Sequence, residues 1–193
     1  PATSHPKKPE GKTTWHGSGE FMKYNRWKRN PNTDAAFALE VRKHYAACVT
    51  YADAMVGRLL ARLDELKLRD NTVIVLWGDH GWHWGEKDHW RKHDLWDVST
   101  RTPRIFSAPE GVAKNKICQR PVSLIDIYPT LIDLCGLPKR EGLDGQSLKP
   151  LLENPKREWD RPVVITFGYQ NHAIQTERWR YIQYHDGGQE LYD

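Results

Sequence analysis

The sequence has 193 residues, 38% of them apolar, with 29 Lys and Arg against 25 Asp and Glu and a formal net charge of +4. That length supports one substantial core, or a core with a small added layer, and no apolar run reaches the length of a membrane span. The positive charge is spread along the chain apart from a basic opening that holds Lys7, Lys8, Lys12, Lys23, Arg26, Lys28 and Arg29; a solvated face and a guide for acidic substrates both fit it, whereas nucleic-acid binding lacks any zinc-finger spacing or RNA-binding aromatic signature.

Residues 1–32 are rich in Pro, Lys and Gly and read as an irregular connection, in which Trp15, His16 and Tyr24 are candidate substrate contacts by position. A long helix is predicted over 33–66, because Phe37, Val41, Tyr45, Cys48, Ala52, Met55, Leu59, Leu63 and Leu66 recur at the helical period and Asn32 or Thr33 stands ready to cap it. After a turn at Asp70-Asn71, the β-branched run Thr72-Val-Ile-Val-Leu-Trp77 predicts a buried parallel strand, with Trp77 in the core. Arg104-Ile-Phe-Ser107 predicts a short strand, and residues 123–134 a second helix that Pro129 kinks or breaks and Gly136-Leu-Pro138 ends. Beyond Arg161, Val163-Val-Ile-Thr-Phe167 and Trp179-Arg-Tyr-Ile-Gln-Tyr184 predict a small antiparallel sheet. The three cysteines, Cys48, Cys118 and Cys135, cannot all pair within the chain and read as buried free thiols.

The chemistry concentrates in Trp77-Gly-Asp-His-Gly-Trp-His-Trp-Gly-Glu-Lys-Asp-His-Trp-Arg-Lys92. Asp79 and His80 would emerge at the carboxyl end of the predicted strand, where open α/β sheets bind ligands. On one loop the segment offers metal ligands and, at Lys92, a cation for a tetrahedral oxyanion. Taken alone, Asp79-His80-Gly81 also fits a capped turn and Lys92 a solvated lysine. His80, His83, His89 and His93 raise the question of zinc, but neither a His-Glu-x-x-His arrangement nor a cysteine pair accompanies them. Trp82 or Trp84 would present a flat apolar wall to a sugar ring, or simply pack.

The same segment resembles the sulfatase family of the alkaline phosphatase superfamily, in particular its iduronate-2-sulfatase-like branch, through Asp79-His80-Gly81-Trp82, Gly85-Glu86 and Trp90-Arg91-Lys92. The likeness extends to Tyr51-Ala-Asp-Ala-Met-Val-Gly-Arg-Leu-Leu60, Ser99-Thr-Arg-Thr-Pro103, Leu124-Ile-Asp-Ile-Tyr-Pro-Thr130, Glu177-Arg-Trp-Arg-Tyr181 and Glu190-Leu-Tyr-Asp193. It implies an α/β fold: the C-terminal part of an alkaline-phosphatase-like α/β/α sandwich over residues 1–157, followed by the start of a small antiparallel C-terminal sheet over 158–193. It implies that Asp79 and His80 ligate a divalent metal, usually Ca2+, that Lys92 contacts the sulfuryl group, and that a sulfated carbohydrate or other sulfate ester is the substrate. His172 lies in Asn171-His-Ala-Ile-Gln-Thr176, similar to a family segment near the active site, although many members carry Arg at the position of Gln175. A periplasmic, secreted or lysosomal-like location is the family expectation.

Family members attack sulfur with a formylglycine made from Cys or Ser in a Cys/Ser-x-Pro-x-Arg motif, and the sequence contains none. Cys135-Gly-Leu-Pro-Lys-Arg140 comes nearest, with its Pro and Arg each one place too far along. The chain begins at Pro1 and ends inside Glu-Leu-Tyr-Asp193, so the expectation is a C-terminal half, inactive by itself, with the formylglycine upstream. Two other readings share the loop: a phosphodiesterase or phosphonate hydrolase of the same superfamily, and a catalytically silent sulfatase-like binding protein.

Overall fold

The computed structural model describes Phe21 and residues 28–193; Trp15, His16, Tyr24 and most of the basic opening lie outside the described residues. The long helix is α1, Ala35–Glu65. Its cap is Asp34 rather than Asn32 or Thr33: the Asp34 carboxylate accepts from the backbone N–H of Phe37 at 2.9 Å and takes the Arg29 guanidinium at 2.8 Å. A carboxylate here meets both an orphan N–H and the positive end of the helix dipole. α1 ends in a paired-carbonyl cap in which Leu68 N–H reaches Leu63 O and Lys67 N–H reaches Asp64 O, with Lys67 in the left-handed region at φ 55°.

Only the first turns of α1 are covered, by Phe37 and Ala38. The apolar stripe that predicts the helix continues along a face open to solvent, with Tyr45, Leu59 and Leu66 all exposed. The same holds for β1, Ile74–Trp77, which pairs antiparallel with β2, Arg104–Ser107, in the register Val75 to Phe106. The expected parallel neighbour is not among the described residues, and Leu76 and Trp77 stand 42% and 49% exposed, so Trp77 is not core here. Composition made this strand look buried, but burial needs a second layer on each face, and no described element covers Trp77. The three cysteines are free as expected, yet all are exposed rather than buried.

A short helix, α2, covers Asp97–Thr100, and α3, Ile127–Leu134, follows a 3-10 turn at Leu124–Asp126. Pro129 sits in the first turn of α3, where its missing N–H deprives the helix of nothing. It therefore marks a start rather than a kink. Gly136, at φ 62°, and Leu137 close α3 on Asp133 O and Ile132 O. Buried Asp126 ties this region together: it accepts from Ser123 N–H at 2.8 Å, Gln146 N–H at 2.9 Å and the Arg161 guanidinium at 2.6 Å. α4, Lys149–Glu153, packs Leu151 inward.

The C-terminal sheet has four antiparallel strands in sequential order: β3, Val163–Thr166; β4, His172–Gln175; β5, Arg180–Gln183; and β6, Gln189–Tyr192. Its inner face presents Ala173, Ile182 and Tyr184 to Leu95 and Trp96, and this cluster is the best-buried apolar core among the described residues. Truncating Ile182, which is fully buried, to Ala should cost about 2–5 kcal/mol in denaturant unfolding, whereas Val164→Ala on the exposed face of β3 should change the midpoint little.

Candidate active site

The loop between β1 and α2 folds back on itself as an irregular hairpin. His83 N–H donates to Arg91 O at 2.9 Å and Gly85 N–H to His89 O at 2.8 Å, while Lys87 and Asp88 turn the corner at φ 55° and 58°. Left-handed conformations at two non-glycine residues need outside support, and it comes from both sides. From α1, the Arg42 guanidinium donates to Trp84 O at 2.5 Å, and from the turn before α1, Asn32 donates to Asp88 O while accepting from the Trp90 indole at 2.7 Å. From the sheet, Lys87 donates to the Tyr192 hydroxyl at 3.1 Å, Glu190 accepts from the Trp96 indole at 2.7 Å, and Arg180 donates to Leu95 O at 2.7 Å and Asp97 at 3.0 Å. Burial pushes the Lys87 ammonium below its ordinary pKa against the pull of Glu190 and Asp94.

Held this way, the two ends of the loop face one cleft of about 1130 Å³. Asp79, His80, Lys92, His93, Asp97 and Arg180 are among its lining residues. Asp79 is 81% exposed and its Oδ2 stands 3.3 Å from His80 Nε2. His80 Nδ1 lies 2.9 Å from Gly81 O; a backbone carbonyl at one ring nitrogen commonly orients a metal-ligating imidazole through the other. The donor pair therefore fits one edge of a divalent-metal shell. Gly78 and Gly81 pin the segment, donating to Pro103 O at 3.0 Å and Ser99 O at 2.8 Å.

The structure thus places Asp79, His80 and Lys92 along the lining of one cleft and leaves two sequence candidates elsewhere. Trp82 is half-buried with its ring centroid 6.0 Å from that of Trp84, and does not line the cleft. His172 is exposed on β4, where its Nδ1 meets the Thr166 hydroxyl at 3.0 Å, and it too is absent from the cleft lining. Arg180 and Asp97, which do line it, escaped the sequence reading; the signal available was the Arg inside the strand-like run Trp179-Arg-Tyr, a charge at an inward position that needs a buried partner.

Sequence and structure comparisons show the family of the chain. The sulfatase family model matches residues 3–137. A sulfatase of Formosa agariphila is 40% identical over 149 residues, covering 77% of this chain and 29% of the relative, and an ulvan-active sulfatase of the same organism is 32% identical over 180 residues, covering 85% and 35%. Human arylsulfatase K is 29% identical over 76% of this chain and 30% of its own length. Among solved structures, a protein in complex with its substrate D-glucosamine-2-N,6-O-disulfate superposes at TM-score 0.65 with 28% identity, covering 75% of this chain and 32% of that one; phosphonate monoester hydrolase from Silicibacter pomeroyi does so at 0.64 with 26% identity, over 73% and 32%. The chain belongs to the sulfatase family, of the alkaline phosphatase superfamily, and carries its α/β fold with a small antiparallel C-terminal sheet. It spans about a third of the length of these relatives.

Gly81 gives a direct test of the loop's packing. A Cβ there would stand 1.9 Å from Val98 O, an overlap with backbone that no rotamer relieves. Gly81→Ala should lower the thermal midpoint markedly, while Gly57→Ala, in open space on α1, should raise stability by roughly 0.5–1 kcal/mol.

Proposed function

We propose that this chain forms one wall of the active site of a sulfuric ester hydrolase acting on sulfated sugars. The observation that carries the reading is that Asp79, His80 and Lys92 all line a single cleft. The sugar assignment is supported by relatives whose names specify ulvan and a disulfated glucosamine. Asp79 and His80 would hold one side of a divalent cation, Ca2+ by family resemblance, with further oxygen ligands from outside the described residues. Bound there, the cation would supply charge stabilisation to the sulfuryl oxygens. A formylglycine from the part of the enzyme that the relatives possess beyond this span would supply the nucleophile.

The residues of this chain then divide the remaining work. The Lys92 ammonium offers a compact positive charge where negative charge grows on the transferred group, in a site already organised by the hairpin beneath it. The Gly81 carbonyl, 2.9 Å from Nδ1, orients the His80 ring so that Nε2 would be the atom offered to the cation. Arg180 is spoken for by Leu95 O and Asp97 and shapes the cleft floor. By itself the chain lacks a nucleophile motif, and we expect the isolated protein to turn over no aryl sulfate.

In an enzyme that includes the formylglycine-bearing part, Lys92→Ala should lower kcat roughly 100- to 1,000-fold, as loss of one preorganised donor does, with calcium content unchanged. Arg91→Ala should be much milder. Near-normal turnover in Lys92→Ala would remove Lys92 from the chemistry. The likeness to a phosphonate monoester hydrolase gives a second reading, and the ratio of aryl sulfate to phosphonate monoester turnover by that same enzyme decides between them: the proposal requires sulfate to be preferred.

A further inference from the structure

Behind the cleft wall, on the inner side of the hairpin, three side chains converge that the sulfate chemistry does not use. We propose that His83, His89 and Asp94 form a second metal site, selective for zinc-like ions and separate from Asp79 and His80. One ligand atom from each lies within 4.8 Å of the others. His83 Nε2 stands 2.8 Å and His89 Nδ1 3.7 Å from Asp94 Oδ2. Ligands held at about 2.0–2.2 Å from one zinc ion stand roughly 3 Å apart, so small side-chain adjustments bring all three into one shell.

All three side chains are wholly removed from solvent. Beyond their own 2.8 Å contact, the ring nitrogens of His83 and Oδ2 of Asp94 have no hydrogen-bond partner among the described residues. A buried imidazole and a buried carboxylate oxygen left in that condition are costly, and a shared cation satisfies both. The other oxygen of Asp94 is already oriented, accepting from Trp96 N–H at 3.0 Å and from the Ser99 hydroxyl.

Neighbouring charge leaves room for the ion. Arg180 is balanced by Asp97 at 3.0 Å, and Lys87 is paired through the Tyr192 hydroxyl with Glu190. Asp94 attracts both cations through space, while its Oδ2 faces the two imidazoles. Two imidazoles and one carboxylate make a borderline donor set that suits Zn2+ rather than Ca2+. An ion here would staple residues 83, 89 and 94 together and so fix the backbone that carries Lys92.

The test uses the 193-residue chain, stripped with a chelator and then exposed to Zn2+ or Co2+. The proposal expects one zinc retained per chain by elemental analysis, a higher thermal midpoint with zinc, and the visible absorption of tetrahedral cobalt. These should survive in the Asp79→Ala, His80→Ala double variant. In His83→Gln, His89→Gln, zinc affinity should fall on the order of 100-fold or more. Wild-type protein that is folded by circular dichroism but retains no zinc and gives no cobalt band would overturn the site, leaving a metal-free His–Asp cluster. Zinc retained equally by the glutamine variant would also overturn it, as adventitious binding to surface histidines. If the glutamine variant does not fold, zinc stoichiometry and X-ray absorption on the wild type still decide, because the site requires two imidazole nitrogens in the shell.

Discussion

One buried carboxylate organises the loop that carries the candidate chemistry. Asp94 accepts from the backbone of Trp96 and the hydroxyl of Ser99 and lies against His83 and His89, with its side chain fully removed from water. Burial alone would push its pKa up, and the surrounding histidines and hydroxyl outweigh that, so the group is held ionised. A buried charge is stable only where its partners are fixed. The need to satisfy Asp94 therefore imposes order on the whole segment from His83 to Ser99, and with it on Lys92.

The hairpin could not hold its two left-handed residues without the elements on either side. α1 and the turn before it grip it through Arg42 and Asn32, the C-terminal sheet through Arg180, Glu190 and Tyr192. Each of these contacts joins positions far apart in the chain. That architecture gives a rigid backing to a cleft whose open side carries Asp79 and His80, the arrangement expected where groups must be preorganised before a ligand arrives. The two candidate metal positions differ accordingly: the exposed Asp79 and His80 suit an ion that meets substrate, and the enclosed His83, His89 and Asp94 suit one that holds structure.

Large apolar side chains stand open along α1 and across β1 and β2, among them Leu59, Trp77 and Ile105. In a family whose members are about three times as long as this chain, such a surface has the character of an inner layer rather than an outer one. It is the reason that helix periodicity and strand composition, both read correctly, gave a poor account of burial.

Much of the site was legible in the sequence because it is local. Asp79 and His80 follow directly on a β-branched strand, and Lys92 sits in a recognisable Trp-x-Lys setting; helix α1, strands β1, β2, β3 and β5 and the cap at Gly136 follow from periodicity, β-branching and turn chemistry, which act over a few residues. What the tertiary structure alone decided depends on pairs distant in sequence. The choice of Asp34 as cap, the antiparallel pairing of β1, the exposure of Trp77 and the three cysteines, and the strands at β4 and β6 rest on which surfaces meet. So does the convergence of His83 and His89 on Asp94. A hairpin turned at Lys87 and Asp88 sets those rings diagonally across it, and no spacing rule announces a turn that Arg42 and Tyr192 must hold in place from 42 residues before and 105 residues after their partners. Local preference wrote the elements and placed the candidate ligands Asp79 and His80; long-range packing, which no single stretch encodes, decided what is buried and which charges meet.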